Sequence, residues 1–158
     1  MATAAETAFE KFQTKVGQED GTGEWLEITQ EMINEFADVT FDHQFIHVDP
    51  EAAKASPFGG TIAHGFLTLS MLTKLSGSVP QDPETFAGVI MGVNYGFDKG
   101  RFISPVPSGS KIRMSSTLKD VVLKNPNTIQ VTRTYTVEVE GVDRPALIAD
   151  WITQLTYA

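Results

Sequence analysis

The chain has 158 residues, 41% of them hydrophobic and 20% charged, with no cysteine and a formal net charge of −8. That is one domain of ordinary globular composition, able to bury about two-thirds of its unfolded surface. The acidic balance excludes a phosphate-neutralising nucleic-acid binder, the missing thiols exclude disulfides and cysteine catalysis, and no apolar run approaches the roughly 20 residues of a membrane span.

Taken in chain order, residues 4–15 place Ala4, Ala5, Ala8, Phe9 and Phe12 between Glu and Lys, which predicts a short amphipathic helix, an N-terminal extension over 1–16. Its start, Met1-Ala-Thr-Ala-Ala-Glu, carries no secretory signal, and with zero cysteines a cytoplasmic protein is expected. Gly17 to Gly23 reads as a polar loop and Trp25–Ile28 as a short strand. Thr29 caps a helix predicted over 30–38, with Ile28 and Ile33 placed as a hydrophobic staple and Met32, Ile33 and Phe36 as its apolar stripe. From His64 to Leu75 the residues are apolar almost all round, predicting one buried helix after the turn-rich loop Ser56–Thr61. After a loop over 78–83, β-branched stretches at 88–96, 110–123, 128–140 and 145–157 predict four long antiparallel strands. The clearest alternates Ile129, Val131, Arg133, Tyr135, Val137 and Val139 against polar neighbours, and turns at 125–127 and 140–143 make a meander. A buried helix followed by such a sheet is an α+β layer in which the sheet wraps the helix.

The chemistry concentrates in Thr40–Ala53. Asp42 and His47 put an acid and an imidazole five positions apart, and Phe58–Gly65 follows, with Gly65 opening the apolar helix. An acid/base pair beside an unsatisfied helix-start amide is equipment for adding water to, or removing it from, an activated carbonyl compound. A metal reading of His43 and His47 would need a helix presenting both rings on one face. Pro50 and the Phe45-Ile46 pair favour a loop instead, so no metal is expected. His64 is read as structural, bonding a loop carbonyl.

These residues resemble a known family. Asp42 to His47 is similar to the Gly-Asp-x-Asn-Pro-Leu-His signature of MaoC-like (R)-specific enoyl-CoA hydratases. It is closer still to the nodulation protein N-like branch, Thr-Gly-Asp-His-Gln-Trp-Ile-His-Val-Asp-Pro. The similarity continues through Ile62–Leu69 and through Asn94-Tyr95-Gly96, Arg101-Phe102 and Pro105–Gly109, most of the chain from about Gly17. It implies a single hot-dog domain, usually dimeric, that interconverts trans-2-enoyl and (R)-3-hydroxyacyl thioesters of CoA or an acyl carrier protein without a cofactor. Asp42, His47 and the Gly65 amide are then catalytic, and Phe41, Phe45, Thr73, Tyr95 and Arg101 border the substrate. Thr73 is assigned support of the catalytic hydrogen bonds from the Gly65 side of the helix. Arg101 is open between a CoA phosphate and a structural ion pair; Lys99, Lys111 and Arg113 complete the best available basic cluster, with Lys111 and Arg113 equally readable as scattered solvated charges on strand edges. Two departures stand out: Phe45 replaces a tryptophan, and Phe41 replaces a glycine. With the flanking block intact, a negative φ is expected at Phe41, its ring beside the acyl path. A hot-dog acyl-CoA thioesterase and a non-catalytic acyl-thioester-binding subunit are the rival readings.

Overall fold

The computed structural model describes residues Met1–Ala158. Its helices are α1 (Ala4–Gln13), α2 (Gln30–Thr40), the single turns α3 (Phe45–Val48) and α4 (Pro50–Ala53), α5 (Gly65–Ser70) and α6 (Leu72–Ser76). Its strands are β1 (Glu19–Thr22), β2 (Leu26–Glu27), β3 (Val89–Phe102), β4 (Lys111–Asn125), β5 (Thr128–Val139) and β6 (Leu147–Tyr157). They form one antiparallel sheet of order β1-β4-β5-β6-β3, with β2 also on β4.

Local chemistry explains the helix starts. Thr3 caps α1 through a capping box: its hydroxyl accepts from the Glu6 amide at 3.1 Å, and the Glu6 carboxylate accepts from the Thr3 amide at 2.7 Å. Thr29 caps α2 by accepting from the Met32 amide, and the flanking Ile28 and Ile33 are both fully buried in one cluster, as the staple requires. The predicted alternation of β5 holds except at Thr132, which is buried along with its neighbours Val131 and Arg133.

The main core joins Leu67, Leu72 and Leu75 of α5–α6 to Ile112, Met114, Val137, Leu147 and Ala149 of the sheet, so the paired helices lie on the sheet's inner face. A second cluster seats Ala5, Ala8 and Phe12 of α1 against Leu118, Ile129, Leu155 and Tyr157. The meander is β4-β5-β6, while β3 pairs with β6 at the far edge. The chain must therefore cross back from β3 to β4 over residues 103–110, and this crossover holds the site.

Four expectations are corrected. Glu19–Thr22 is an edge strand rather than a loop. Its fixing group is Asp20, which accepts from Ser116 Oγ at 2.6 Å and Arg133 Nε at 3.1 Å, so a buried ion pair replaces the apolar alternation that sequence reading looks for. The helix at 64–75 breaks at Met71 into α5 and α6 and is not buried all round, since Phe66 is 68% exposed beside Phe102. β3 runs six residues past the expected end, because Gly96, Gly100 and three register shifts hide its period. Finally, the basic residues form no single cluster. Lys99 and Arg101 are on β3 and Lys111 and Arg113 on β4, three strand spacings or roughly 14 Å away. Arg113 instead pairs with Glu138 and lies over the Trp25 ring at 4.3 Å.

Candidate active site

Three segments meet at the site: the end of α2, the turns α3–α4, and the run Thr61–Gly65 that enters α5. The last is tied to the crossover by backbone bonds, Ala63 N–H to the Val106 carbonyl at 2.8 Å and Ser108 N–H to the Thr61 carbonyl at 3.0 Å, with a bridge between Ile62 and Pro107. Asp49 caps α4 by accepting from the Glu51 and Ala52 amides, and Pro50 occupies the first helical position where no N–H is needed. Residues 45–48 are thus helical, where a loop or extended segment was expected, yet His43 precedes the turn and pairs with Asp38 at 2.8 Å on the surface. No common face joins His43 to His47.

His47 is buried, and its Nδ1 is 2.7 Å from the Ile62 carbonyl. A carbonyl can only accept, so Nδ1 carries a proton, and Nε2 is the ring nitrogen left to exchange one with a substrate or water. The His47 carbonyl accepts from Gln30 Nε2 at 2.7 Å, and Thr61 Oγ donates to Gln30 Oε1 at 2.6 Å, so one glutamine locks three segments. Asp42 is more open, its side chain 52% exposed, with one long hydrogen bond of 3.4 Å from the Gln44 amide to Oδ1 and with Oδ2 4.0 Å from His64 Nε2. His64 is buried between them: Nε2 donates to the Asp42 carbonyl at 2.9 Å, the loop-carbonyl bond expected of it, and the ring stacks on His47 with centroids 3.9 Å apart.

One donor atom from each of Asp42, His47 and His64 lies within 4.8 Å of the others. The stacking argues against a shared ion. Imidazole lone pairs lie in the ring plane, and two rings inclined by only 23° send them side by side rather than to one point.

Gly65 begins α5, and its N–H enters no backbone or side-chain hydrogen bond. A Cβ there would meet the Phe102 ring at 3.1 Å, so a small residue is needed for close packing as well. Gly65 and Thr68 line a pocket of about 270 Å³ whose other walls include Phe58, Ile62, Phe102, Pro105 and Val106. It is mostly apolar, adjoins the Ile62–Gly65 run, and is not lined by Asp42 or His47.

The remaining sequence-selected residues scatter. Phe41 ends α2 with φ 61° and ψ 18°, the left-handed region, and is 86% exposed; the expected negative φ and inward ring are both corrected. Phe45 is half exposed beside His47. Tyr95 and Arg101 lie exposed on β3, and Arg101 has no carboxylate partner, only the Gly100 carbonyl at 2.8 Å. Thr73 is not brought to Gly65: it is exposed and lines a groove with Leu69, Asn94, Phe97 and Trp151. Sequence reasoning missed Gln30 and Thr68. The first looks like any first-turn glutamine, and the second like a polar interruption of an apolar helix.

A sheet carrying one helical layer, with an acid–imidazole pair beside a free helix-start amide, defines a hot-dog protein with the equipment of a hydro-lyase. The model of the MaoC-like domain family matches residues 11–141, and the chain belongs to that family. Nodulation protein N of Rhizobium meliloti (strain 1021) is 52% identical over 139 residues, 87% of this chain and 84% of that protein. The 3-hydroxyacyl-thioester dehydratase Z of Mycobacterium tuberculosis (strain ATCC 25618 / H37Rv) is 49% identical over 138 residues, 87% of this chain and 89% of that one. The (R)-hydratase from A. caviae involved in PHA biosynthesis shares the fold with a TM-score of 0.69 at 21% identity, covering 87% of this chain and 94% of that structure.

Proposed function

We propose that this hydratase/dehydratase interconverts trans-2-enoyl and (R)-3-hydroxyacyl thioesters. The observation that carries the reading is the His47 ring: its Nδ1–H is committed to the Ile62 carbonyl, which leaves Nε2 for proton transfer, and a ring nitrogen lies within 4.8 Å of an Asp42 carboxylate oxygen. In the hydration direction the thioester carbonyl accepts from the Gly65 N–H, which draws electron density from the double bond and makes the β-carbon electrophilic. Asp42 and His47 hold one water against that carbon. The water oxygen bonds to the β-carbon as His47 Nε2 takes the water proton, and that same proton passes across the pair through Asp42 to the α-carbon, so both groups end as they began. Elimination reverses each transfer. Water delivered from one face sets one configuration at the β-carbon. Redox balance requires no flavin or nicotinamide, and the pair supplies the acid/base work without a metal.

The carrier is CoA or an acyl carrier protein, and Arg101, free of any carboxylate, suits its phosphates. The working unit in this reading is a cytoplasmic homodimer. Support for the dimer comes from β3, an edge strand whose side chains are exposed along nearly its whole length. No helix is long and apolar enough to cross a membrane.

Incubation with crotonyl-CoA and longer enoyl-CoAs, following loss of the enoyl absorbance together with free-thiol release, tests the assignment. Loss of absorbance without thiol is expected. Thiol release without hydration would make the protein a thioesterase, and neither signal would make it a binding subunit.

A further inference from the structure

His64 is 3% exposed, and its Nδ1 is the one enclosed side-chain polar atom in the chain without a hydrogen-bond partner. An unsatisfied buried acceptor is costly, and a phenylalanine ring would fill similar space without one. Packing alone therefore gives no reason for an imidazole at this position.

The reason lies on its other edge and its face. Nε2–H donates to the Asp42 backbone carbonyl at 2.9 Å, and the ring stacks on His47 at 3.9 Å, with the Phe36 ring behind it at 5.0 Å. Asp42 needs such a hold. It follows Phe41, whose φ of 61° is unfavourable for most residues but glycine, and its carboxylate accepts only one long hydrogen bond, from the Gln44 amide, with His64 Nε2 4.0 Å from Oδ2. A half-exposed carboxylate on a strained turn would otherwise wander by more than a catalytic pair tolerates, since a misplacement of about 1 Å can cost roughly 10²-fold in rate.

We propose that His64 is a positioning residue for this site. As a single Nε2–H tautomer it fixes the backbone under Asp42 and the ring plane of His47 together, so the acid and the base keep one separation. This deepens the hydratase reading and rests on it for its kinetic consequences.

Two variants divide the ring from the donor. His64→Phe keeps a flat ring against His47 and loses the donor and the unpartnered nitrogen. His64→Gln keeps a donor near the Nε2 position and loses the stack. His64→Phe is expected to fold with a melting temperature no lower than the parent's. Its kcat on crotonyl-CoA should fall about 10–100-fold while KM stays within about twofold, and His64→Gln should recover part of that loss. Full kcat in folded His64→Phe means a core-filling ring and overturns the proposal. Imidazole ¹⁵N shifts of the unaltered protein give a second test that needs neither folded variants nor activity. The expected result is an Nε2–H tautomer for His64 and an Nδ1–H tautomer for His47; an Nδ1–H tautomer or a mixture at His64 overturns it. A parent protein inert toward every enoyl thioester defeats the hydratase reading, and the tautomer result then decides the His64 arrangement by itself.

Discussion

Phe41 holds the one positive φ outside glycine, 61°, at the C-terminal cap of α2. The left-handed conformation costs a side-chain-bearing residue about 1–2 kcal/mol. Glycine there would remove that cost and return about 0.4–1 kcal/mol through its freer unfolded chain. The first term wins, so Phe41→Gly should stabilise the protein by about 0.5–1 kcal/mol, a rise of roughly 2–3 °C in melting temperature. An unchanged or lower melting temperature would show that the exposed ring has a partner that offsets the strain. At the next residue the concern is chemistry. Asp42→Asn and His47→Ala should each lower kcat by on the order of 10²–10⁴ with the circular dichroism spectrum intact. The double variant should lose little more than the worse single one, because both groups serve one water. Near-normal turnover in either single variant would remove it from the mechanism.

At the scale of elements, how legible each part was follows from where its information resides. β5 was readable because buried and more open positions alternate everywhere but at Thr132, and α2 because Thr29, Ile28 and Ile33 mark its start locally. β1 was not, because what fixes it lies about a hundred residues away: Asp20 meets Ser116 on β4 and Arg133 on β5. The site divides the same way. Asp42, His47 and Gly65 were legible as a spaced pattern, whereas Gln30 and Thr68 matter only through contacts made in three dimensions. Phe41 was misjudged because an intact flanking block says nothing about φ. The Asp20–Arg133 pair gives a test of its own, its side chains being only 14% and 9% exposed. Asp20→Ala leaves the guanidinium buried and unpaired, which should cost about 3–5 kcal/mol, read as a lowered urea midpoint. Asp20→Asn, still able to accept one bond, should cost less. Equal midpoints for Asp20→Ala and the parent would mean that water replaces the carboxylate and that β1 needs no ion pair. Tyr157 at the end of β6 sets a limit at high pH. Burial pushes its phenol up to about 12, while its hydroxyl donates to the Thr85 carbonyl at 2.7 Å. The folded state therefore resists ionisation that the unfolded chain undergoes near pH 10, so this contribution is complete below about pH 10 and is lost as pH rises toward 12. Tyr157→Phe should flatten the fall in stability across that window, and an unaltered fall would assign it to other groups.

For the whole molecule, the decisive feature is the far edge of the sheet. Ile90, Met91, Val93, Tyr95, Phe97 and Phe102 all lie exposed along β3, and Phe66 of α5 is exposed beside Phe102. A long unpaired strand edge with an apolar flank is a template for association unless it is covered, and β3 carries only Asp98, Lys99 and Arg101 to blunt it. The side chains that border the site from this direction, Phe102 above all, belong to the same surface. Pairing β3 with its copy would continue the sheet antiparallel, close both edges at once and bring Tyr95 and Arg101 of each chain to the seam. A two-fold contact of this kind is self-complementary and stops at two copies. The protein should therefore sediment at twice its 17.3 kDa chain mass at micromolar concentration. Lysines at Val93 and Tyr95 place like charges against each other across the two-fold axis, and the doubly substituted chain should sediment as a monomer. Because Phe66 and Phe102 would lose their cover while the Asp42–His47 pair is untouched, its kcat/KM should fall mainly through KM. A monomeric parent chain would refute the seam, and a dimeric Val93→Lys/Tyr95→Lys chain would move the interface to another face.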